Sequence, residues 1–186
     1  MTSSFDRAPR VETPRLILRG HTLGDLPVCA AMWSNEDVVR YIGGRPFSRE
    51  EVWARLLRYA GMWAVMGHGF WAIEEKASGR LVGEVGVMEA RRDIQPSFEG
   101  TPEVGWALMP SDQGKGFAAA AVEAALAWGE AHLAAPKFAC IISAENAPSI
   151  RLAAKFGFSE MARTTYHGAA TIVFERPRLA GAKRNG

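Results

Sequence analysis

The sequence predicts an α+β domain, in which a central mixed and mostly antiparallel sheet carries helices on both faces. Segments with the period of strands are interleaved with segments with the period of helices. Their order is a strand, two helices, three strands, a helix, a strand, a helix and two strands. No linker or internal repeat divides the 186 residues, which suit one domain. We place the domain at residues 11–176 and expect the basic segment 177–186 to be a disordered tail.

The first elements are marked by an aliphatic strand and two helix starts. Residues 14–19 alternate briefly and are rich in aliphatic side chains, which favours a strand. Asp25 has the side chain to cap a helix that runs to Trp33. Ser48 and Glu51 have the spacing of a capping box, in which each side chain accepts from the other's backbone N–H. The helix that they open carries apolar residues at helical spacing: Val52, Leu56, Leu57 and Tyr59.

The middle of the chain has the period of strands. Residues 70–75 and 81–88 are separated by a short turn, so they predict an antiparallel hairpin. Residues 91–102 contain Pro, Gly, Ser and several charges, which suits an exposed loop. Residues 103–109 form the next predicted strand, and Pro110 ends it.

The last third of the chain alternates between helices and strands. Residues 116–132 are Ala-rich and strongly helix-forming. A strand at 137–144 and a helix at 148–155 follow. Residues 159–166 and 169–175 complete the domain as a closing pair of strands.

Charge and hydropathy exclude several classes of partner. The net charge of +2 is spread along the chain without a basic run, whereas phosphate binding gathers Lys and Arg on one face. No apolar run is long enough to cross a bilayer, and the polar residues 1–10 do not resemble a signal peptide. We therefore expect a cytoplasmic protein with no nucleic-acid or membrane partner.

The cysteines and histidines predict no metal site. Cys29 and Cys140 lie far apart in apolar stretches, which is typical of buried free thiols in a reducing compartment. None of the four histidines has ligand spacing with either cysteine: His21, His68, His132 and His167.

A glycine-rich turn at residues 113–118 is the strongest functional signal. It joins a strand directly to a helix, so several backbone N–H groups and the helix N-terminus point at one spot. Gly114 and Gly116 allow close approach or positive φ, and Lys115 adds a cation, which together suit a phosphate or pyrophosphate. A Walker A loop is excluded because Gly116 follows the lysine, and too little chain remains for a dinucleotide domain. A plain connection without a ligand remains the alternative.

Three blocks of sequence resemble the GCN5-related N-acetyltransferase (GNAT) superfamily. The turn Gln113-Gly114-Lys115-Gly116-Phe117-Ala118 resembles the motif Gln/Arg-x-x-Gly-x-Gly/Ala of that superfamily. Residues 146–158, with Asn-x-x-Ser-x-Arg-Leu and a final Gly-Phe, resemble its next motif. The ends of this block and the Thr-x-Arg-Leu strand at 13–16 are typical of the branch of ribosomal-protein alanine and serine N-acetyltransferases. The resemblance extends over residues 11–176.

The resemblance implies a cofactor, acetyl-coenzyme A, and a place for it. The family's fourth and fifth strands splay apart, here 103–109 and 137–144, and the pantetheine arm lies between them. The backbone groups of Leu108 and Met109 then pair with the pantetheine, and the Met109 N–H stabilises the oxyanion. The N–H groups of residues 114–118 bind the pyrophosphate, and Asn146 and Ser149 face the thiol end.

Candidate catalytic groups follow from this placement. Glu103 begins the strand that leads to the slot and shares a face with small neighbours, which favours it as the general base. Glu84 alternates with Gly86 and is an alternative base, and either could act through a water; a solvated strand end is the alternative for Glu103. Many relatives place a proton-donating Tyr where this chain has Ala153, so Ser149 is the candidate acid. Ser149 could equally be a helix cap.

The acceptor site is expected to be formed by the connection between the first two helices and by the loop 91–102. Trp33 and Tyr41 flank two acids in that connection, and with Glu84 they are the candidates for holding a cationic amine. The predicted activity is acetyl transfer by direct attack in a ternary complex, onto a protein N-terminus or a small amine. An acyl-coenzyme A-binding module with weak catalysis is the alternative. The resemblance also implies a homodimer, for which the sequence gives no independent sign.

Overall fold

In the computed structural model, which describes residues 7–179, eight strands form one sheet in the order β1-β2-β3-β4-β5-β6-β8-β7. All neighbouring strands are antiparallel except β5 and β6, which are parallel. The predicted α+β class and mixed sheet are confirmed. The strands are β1 (Val11–Glu12), β2 (Leu16–Arg19), β3 (Phe70–Glu75), β4 (Leu81–Met88), β5 (Glu103–Leu108), β6 (Lys137–Ser143), β7 (Ser159–Tyr166) and β8 (Ala169–Pro177).

Five α-helices connect the strands: α1 (Leu26–Trp33), α2 (Glu36–Val39), α3 (Arg49–Met66), α4 (Phe117–His132) and α5 (Ala147–Lys155). The capping box that opens α3 is present, with Ser48 Oγ accepting from the Glu51 N–H at 3.2 Å and the Glu51 carboxylate accepting from the Ser48 N–H at 2.8 Å. Among residues 7–179, no helix is long and apolar enough to cross a membrane.

Asp25 does not cap α1 as the sequence predicted. A single 3₁₀ turn, Leu23–Asp25, precedes the helix, so the carboxylate reaches backwards instead. It accepts from the Thr22 N–H at 2.7 Å and from the Arg19 guanidinium at 2.8 and 2.9 Å. Through Arg19, the last residue of β2, Asp25 therefore links the connection after β2 to the sheet.

Apolar residues alternate between two cores on the two faces of the sheet. On β3, Trp71 and Ile73 pack into the larger core with α4, whereas Phe70 and Ala72 pack into the smaller core with α1 and α3. Because successive strand residues point to opposite faces, a strand that is buried on both faces has a continuous apolar sequence. This double burial fixes the register of the central strands.

The parallel strands β5 and β6 diverge as predicted for the family's splayed pair. Six residue pairs join β4 to β5, from Gly83–Leu108 to Met88–Glu103, but β5 and β6 meet only at Glu103 and Ala139 within the described residues. The C-terminal half of β5 therefore has a paired side towards β4 and an unpaired side towards β6.

The ordered contacts continue beyond the predicted domain end at residue 176. Pro177 still pairs with Lys137, and Arg178 donates to the carbonyls of Glu130 and Leu133 at the C-terminal end of α4. A cation at this position is favourable because the last helical carbonyls are negatively polarised. Residues 180–186 of the expected tail lie outside the described residues.

Candidate active site

Free backbone groups of β5 face the gap between β5 and β6. In an antiparallel pair, the N–H and C=O groups of successive residues point alternately towards the partner strand and away from it. The Met109 N–H donates to the Val82 carbonyl at 2.9 Å, so alternate residues Met109, Ala107 and Gly105 direct their polar groups towards β4. Leu108 and Trp106 consequently direct theirs towards β6, into the gap. An extended ligand can therefore form hydrogen bonds with this edge in the way that an additional β-strand would.

Met109 cannot have the role that the family resemblance implied. Its N–H is bonded to Val82, and its carbonyl accepts from the Asp112 N–H at 2.9 Å. The N–H is therefore occupied and cannot pair with a pantetheine or stabilise an oxyanion, whereas the carbonyl oxygen keeps one further lone pair. The available N–H at this end of the strand belongs to Leu108, whose carbonyl also lies 3.4 Å from the Gln113 side-chain amide.

The turn before α4 presents a row of unpaired backbone donors. Gly114 has φ +75° and Gly116 has φ +80°, conformations that glycine adopts without the steric cost of a Cβ. The N–H groups of residues 114–119 donate to no oxygen within the described chain, and the first bond of the helix runs from the Ala120 N–H to the Gly116 carbonyl. Residues 113–116 are exposed. Exposed N–H groups at a helix N-terminus form an anion-binding site.

The charges around this turn differ from the sequence-based expectation. Lys115 Nζ pairs with the buried Asp112 carboxylate at 2.8 Å. Burial raises the pKa of Asp112, but hydrogen bonds from Lys115 and Ser111 outweigh it and hold that pKa below its ordinary value. Arg15 supplies a second cation, because its guanidinium donates to the Lys115 carbonyl at 2.5 Å and lies 4.7 Å from the ring centre of Phe117.

Asn146, not Ser149, caps the N-terminus of α5. Asn146 Oδ1 accepts from the Ser149 N–H at 3.2 Å, as an N-cap side chain does. The Ser149 hydroxyl makes no hydrogen bond to another described residue, so it is available to a ligand. Asn146 therefore has the capping role, and the role of Ser149 as the acid stays a prediction.

Glu103 is held in a buried ion pair that occupies both of its carboxylate oxygens. Both of its carboxylate oxygens accept from the Arg92 guanidinium, at 2.6 and 2.8 Å, and the residue is 3% exposed. Arg92 also donates to the Tyr166 hydroxyl at 3.2 Å. A carboxylate whose two oxygens both accept from one guanidinium fork is not free to reach the proton of a bound amine. This geometry argues against Glu103 as the direct base.

One protein-family model matches most of the chain. Residues 15–159 match the family model described as an acetyltransferase (GNAT) domain. The chain belongs to the GNAT acetyltransferase family. It is 27% identical over 153 residues to the N-acetyltransferase YoaA of Bacillus subtilis, covering 82% of this chain and 84% of YoaA.

Solved GNAT structures share the fold over nearly the whole chain. A GNAT-family acetyltransferase of Bordetella pertussis is 32% identical with a TM-score of 0.79, and the match covers 90% of this chain and 99% of that protein. The spermidine N-acetyltransferase of Vibrio cholerae, solved in complex with CoA and spermine, is 20% identical with a TM-score of 0.72. That match covers 89% of this chain and 97% of the Vibrio protein and shows the likeness of the fold alone.

The candidate acceptor residues of this GNAT chain are only partly brought together. Trp33 Nε1 lies 3.3 Å from Glu84 Oε1, and the Tyr59 hydroxyl donates to Glu84 Oε2 at 2.9 Å. Tyr41 lies in the turn after α2 and is half-buried. Glu84 is fully buried, so its carboxylate does not reach an acceptor in this arrangement.

The charge of Glu84 is stabilised despite its burial. Burial raises the pKa of this carboxyl, but contacts with His21, Arg55 and Tyr59 outweigh that effect and hold the pKa below its ordinary value. Sequence reasoning missed these partners, as it missed Arg15 and Arg92, because no local pattern links residues so far apart along the chain. Only the exposed turn at 113–118 and the motif at 146–149 had local signals.

Proposed function

We propose that this GNAT chain transfers the acetyl group of acetyl-coenzyme A to a primary amine by direct attack in a ternary complex. One observation carries the proposal: the free backbone edge of β5 leads directly into the unpaired N–H groups of residues 114–119, of which 114–116 are exposed. The edge suits the amide-containing pantetheine arm, and the turn suits the pyrophosphate at its other end.

Different residues of the site are proposed to bind different parts of acetyl-coenzyme A. The N–H groups of Gly114 to Ala118 bind the pyrophosphate, with the charge of Arg15 beside them. Gln113 orders the start of the turn through its contact with the Leu108 carbonyl. The side chain of Asn146, whose Oδ1 caps α5, and the hydroxyl of Ser149 face the thioester end. The CoA complex of the Vibrio cholerae enzyme supports this choice of cofactor.

The chemical step needs an oxyanion donor and a fate for two protons. The amine nitrogen attacks the thioester carbonyl carbon, and the Leu108 N–H stabilises the oxygen that becomes negative. The carbon–sulfur bond then breaks, and the departing thiolate takes the proton of the Ser149 hydroxyl, which takes one back from water. The amine proton leaves to water, because Glu103 is committed to Arg92. Glu103 then anchors the loop 89–102 beside the site.

Replacing Gly114 with alanine is expected to weaken acetyl-coenzyme A binding about tenfold or more. Alanine at positive φ is strained, and the turn must rearrange and withdraw at least one charge-assisted hydrogen bond from the phosphate. The matched control is Gly168→Ala, because Gly168 also has positive φ and open space around it but lies in the turn between β7 and β8. Calorimetric titration of each variant measures the dissociation constant.

Only the Gly114 variant should lose affinity, since both variants carry a similar backbone cost of about 1 kcal/mol. Equal dissociation constants in the two variants would show that the pyrophosphate does not bind at this turn. Failure of the unaltered chain to bind acetyl-coenzyme A would overturn the proposed function itself.

Replacing Ser149 with alanine is expected to lower kcat about tenfold, with little change in KM for acetyl-coenzyme A. General-acid groups contribute about 10²–10⁴-fold, and a thiolate needs less help than most leaving groups. Steady-state kinetics beside a Ser159→Ala control measure the effect. An unchanged kcat in Ser149→Ala would exclude Ser149 as the proton donor.

We propose an acceptor of the ribosomal-protein N-terminal class, with small amines as the competing class. The Thr-x-Arg-Leu strand and the Asn-x-x-Ser-x-Arg-Leu block support the first. Structures of ribosomal-protein acetyltransferases and of the spermidine enzyme are both similar to this chain, so fold does not choose between them. An assay of N-terminal peptides against polyamines, amino acids and aminoglycosides decides between the two classes.

One substitution favours a second candidate, an acyl-coenzyme A-binding module with weak catalysis. Ala153 stands where many relatives carry the proton-donating Tyr, and it is buried. Saturable acetyl-coenzyme A binding without transfer to any amine in the panel would support the module over the enzyme.

A further inference from the structure

A buried group of potential metal ligands lies apart from the cofactor edge. His21 follows β2, Cys29 lies on α1 and Glu84 lies on β4. One ligand atom from each residue lies within 4.8 Å of the other two, and His21 Nε2 is 3.5 Å from Glu84 Oε1. The exposed fraction of the side chain is 5% for His21 and 0% for Glu84, and Cys29 is fully buried.

The imidazole of His21 has unmet bonding capacity. Both ring nitrogens are buried, and neither forms a hydrogen bond with another residue of the described chain. Its contact with Glu84 at 3.5 Å is an electrostatic approach without hydrogen-bond geometry. Leaving a buried polar group unsatisfied costs about 1–3 kcal/mol, so such a group usually has a partner. The lone pair of an imidazole nitrogen is a common metal ligand.

The Glu84 carboxylate is already oriented by groups around it. Tyr59 and Trp33 donate to its two oxygens, and Arg55 donates to the Tyr59 hydroxyl at 3.1 Å. Hydrogen bonds of this kind fix the orientation of a ligating side chain and tune its affinity for the metal. Each carboxylate oxygen keeps a further lone pair, which can bind a cation.

We propose that His21, Cys29 and Glu84 form a Zn²⁺ site. A sulfur, an imidazole nitrogen and a carboxylate oxygen are the donor types that zinc takes, whereas Mg²⁺ and Ca²⁺ take oxygen ligands. Zinc bonds of about 2.0–2.3 Å in a tetrahedron place ligand atoms roughly 3.3–3.8 Å apart. The nitrogen–oxygen distance already has this spacing, and the sulfur needs to move closer by at most about 1.5 Å.

Charge balance favours a divalent cation in this cluster. On binding, the Cys29 sulfur loses its proton to solvent and forms a bond with zinc, with no change in oxidation state. One thiolate and one carboxylate then neutralise the two charges of the ion, which removes the cost of burying an isolated anion. Three protein ligands leave the fourth tetrahedral position to a water. The site would join the connection after β2 and α1 to the centre of the sheet.

The test measures the affinity of the full chain for Zn²⁺. The chain is first refolded in the presence of a chelator to remove bound metal, and the chelator is then removed. Competition with a chromophoric chelator should show a single Zn²⁺ per chain. Loss of a group that hydrogen-bonds to a metal ligand typically weakens metal affinity by about 10–100-fold, so Tyr59→Phe should weaken it by about tenfold. Cys29→Ala removes a ligand itself and should weaken the affinity by more than about 100-fold. Cys140→Ala is the matched control, because it also removes a buried free thiol but lies on β6.

Co²⁺ substitution provides a readout that does not depend on stability. A thiolate–cobalt charge-transfer band should be present in the unaltered chain and in Cys140→Ala and should be absent from Cys29→Ala. Far-UV circular dichroism establishes that each variant is folded, and Cys29→Ser replaces Cys29→Ala if the latter is not. No stoichiometric zinc in the unaltered chain, or equal affinity in the two cysteine variants, would overturn the proposal.

Discussion

Replacing Glu103 with glutamine is expected to lower the free energy of unfolding by about 3 kcal/mol. The isosteric amide keeps the shape of the side chain but removes the charge that both N–H groups of the Arg92 fork contact. Arg92 is 21% exposed at its side chain and Glu103 is 3% exposed, so solvent replaces little of the lost interaction. Denaturant unfolding of the variant and the unaltered chain measures the difference.

The matched control is Glu99→Gln in the same loop. Glu99 pairs with Arg91 at 2.7 Å, but the two side chains are 58% and 69% exposed. Exposed pairs contribute about 0–1 kcal/mol, so this variant should be nearly as stable as the unaltered chain. Equal effects of the two substitutions would show that burial does not strengthen the Arg92–Glu103 pair.

A double variant separates the structural role of Glu103 from a catalytic one. Replacing both partners of a buried pair with apolar residues of similar volume, as in Arg92→Met with Glu103→Met, is often nearly neutral for stability. We expect this double variant to recover most of the lost stability and to keep acetyl transfer within about tenfold of the unaltered chain. A loss of kcat in the range of about 10²–10⁴-fold, with stability recovered and the acidic limb of the pH–rate profile gone, would instead identify Glu103 as the base.

The elements of the fold were predictable because their signals are local. The capping box of α3, the hairpin of β3 and β4 and the glycine-rich turn before α4 each depend on residues a few positions apart. Two features of the fold were not predicted. Asp25 has the side chain of an N-cap, but the 3₁₀ turn and Arg19 compete for its carboxylate. The position of β8 between β6 and β7 has no local signal at all.

The chemistry of the site was less predictable because it depends on partners distant in sequence. Sequence alternation places Glu103 on a face with small neighbours, but it cannot show that Arg92 folds back over its carboxylate. The availability of a backbone N–H is a property of strand pairing: the bond from Met109 to Val82 decides that Leu108, not Met109, faces the gap. The candidate residues were therefore easier to identify from the sequence than their hydrogen-bond and ion-pair partners.

The buried pair of Glu130 and Arg176 links the end of the described chain to α4. The guanidinium donates to Glu130 Oε1 at 2.7 Å, and the Leu179 N–H donates to the same oxygen at 3.2 Å. The side chains are 7% exposed for Arg176 and 10% exposed for Glu130. Within residues 7–179, Arg176 Nε is buried without an acceptor, and Glu130 is the carboxylate that pairs with this guanidinium.

Glu130→Gln is therefore expected to lower the free energy of unfolding by about 4 kcal/mol, because it leaves a buried guanidinium without a counter-charge. For a domain of this size, that loss corresponds to a decrease in Tm of about 8–16 °C. Glu160→Gln is the control, since Glu160 and Arg163 form a bidentate pair on the exposed edge strand β7. Calorimetric melting of both variants measures the effect. A decrease below about 1 kcal/mol in Glu130→Gln would show that solvent reaches Arg176, and that the segment after β8 is not held to α4 by this charge.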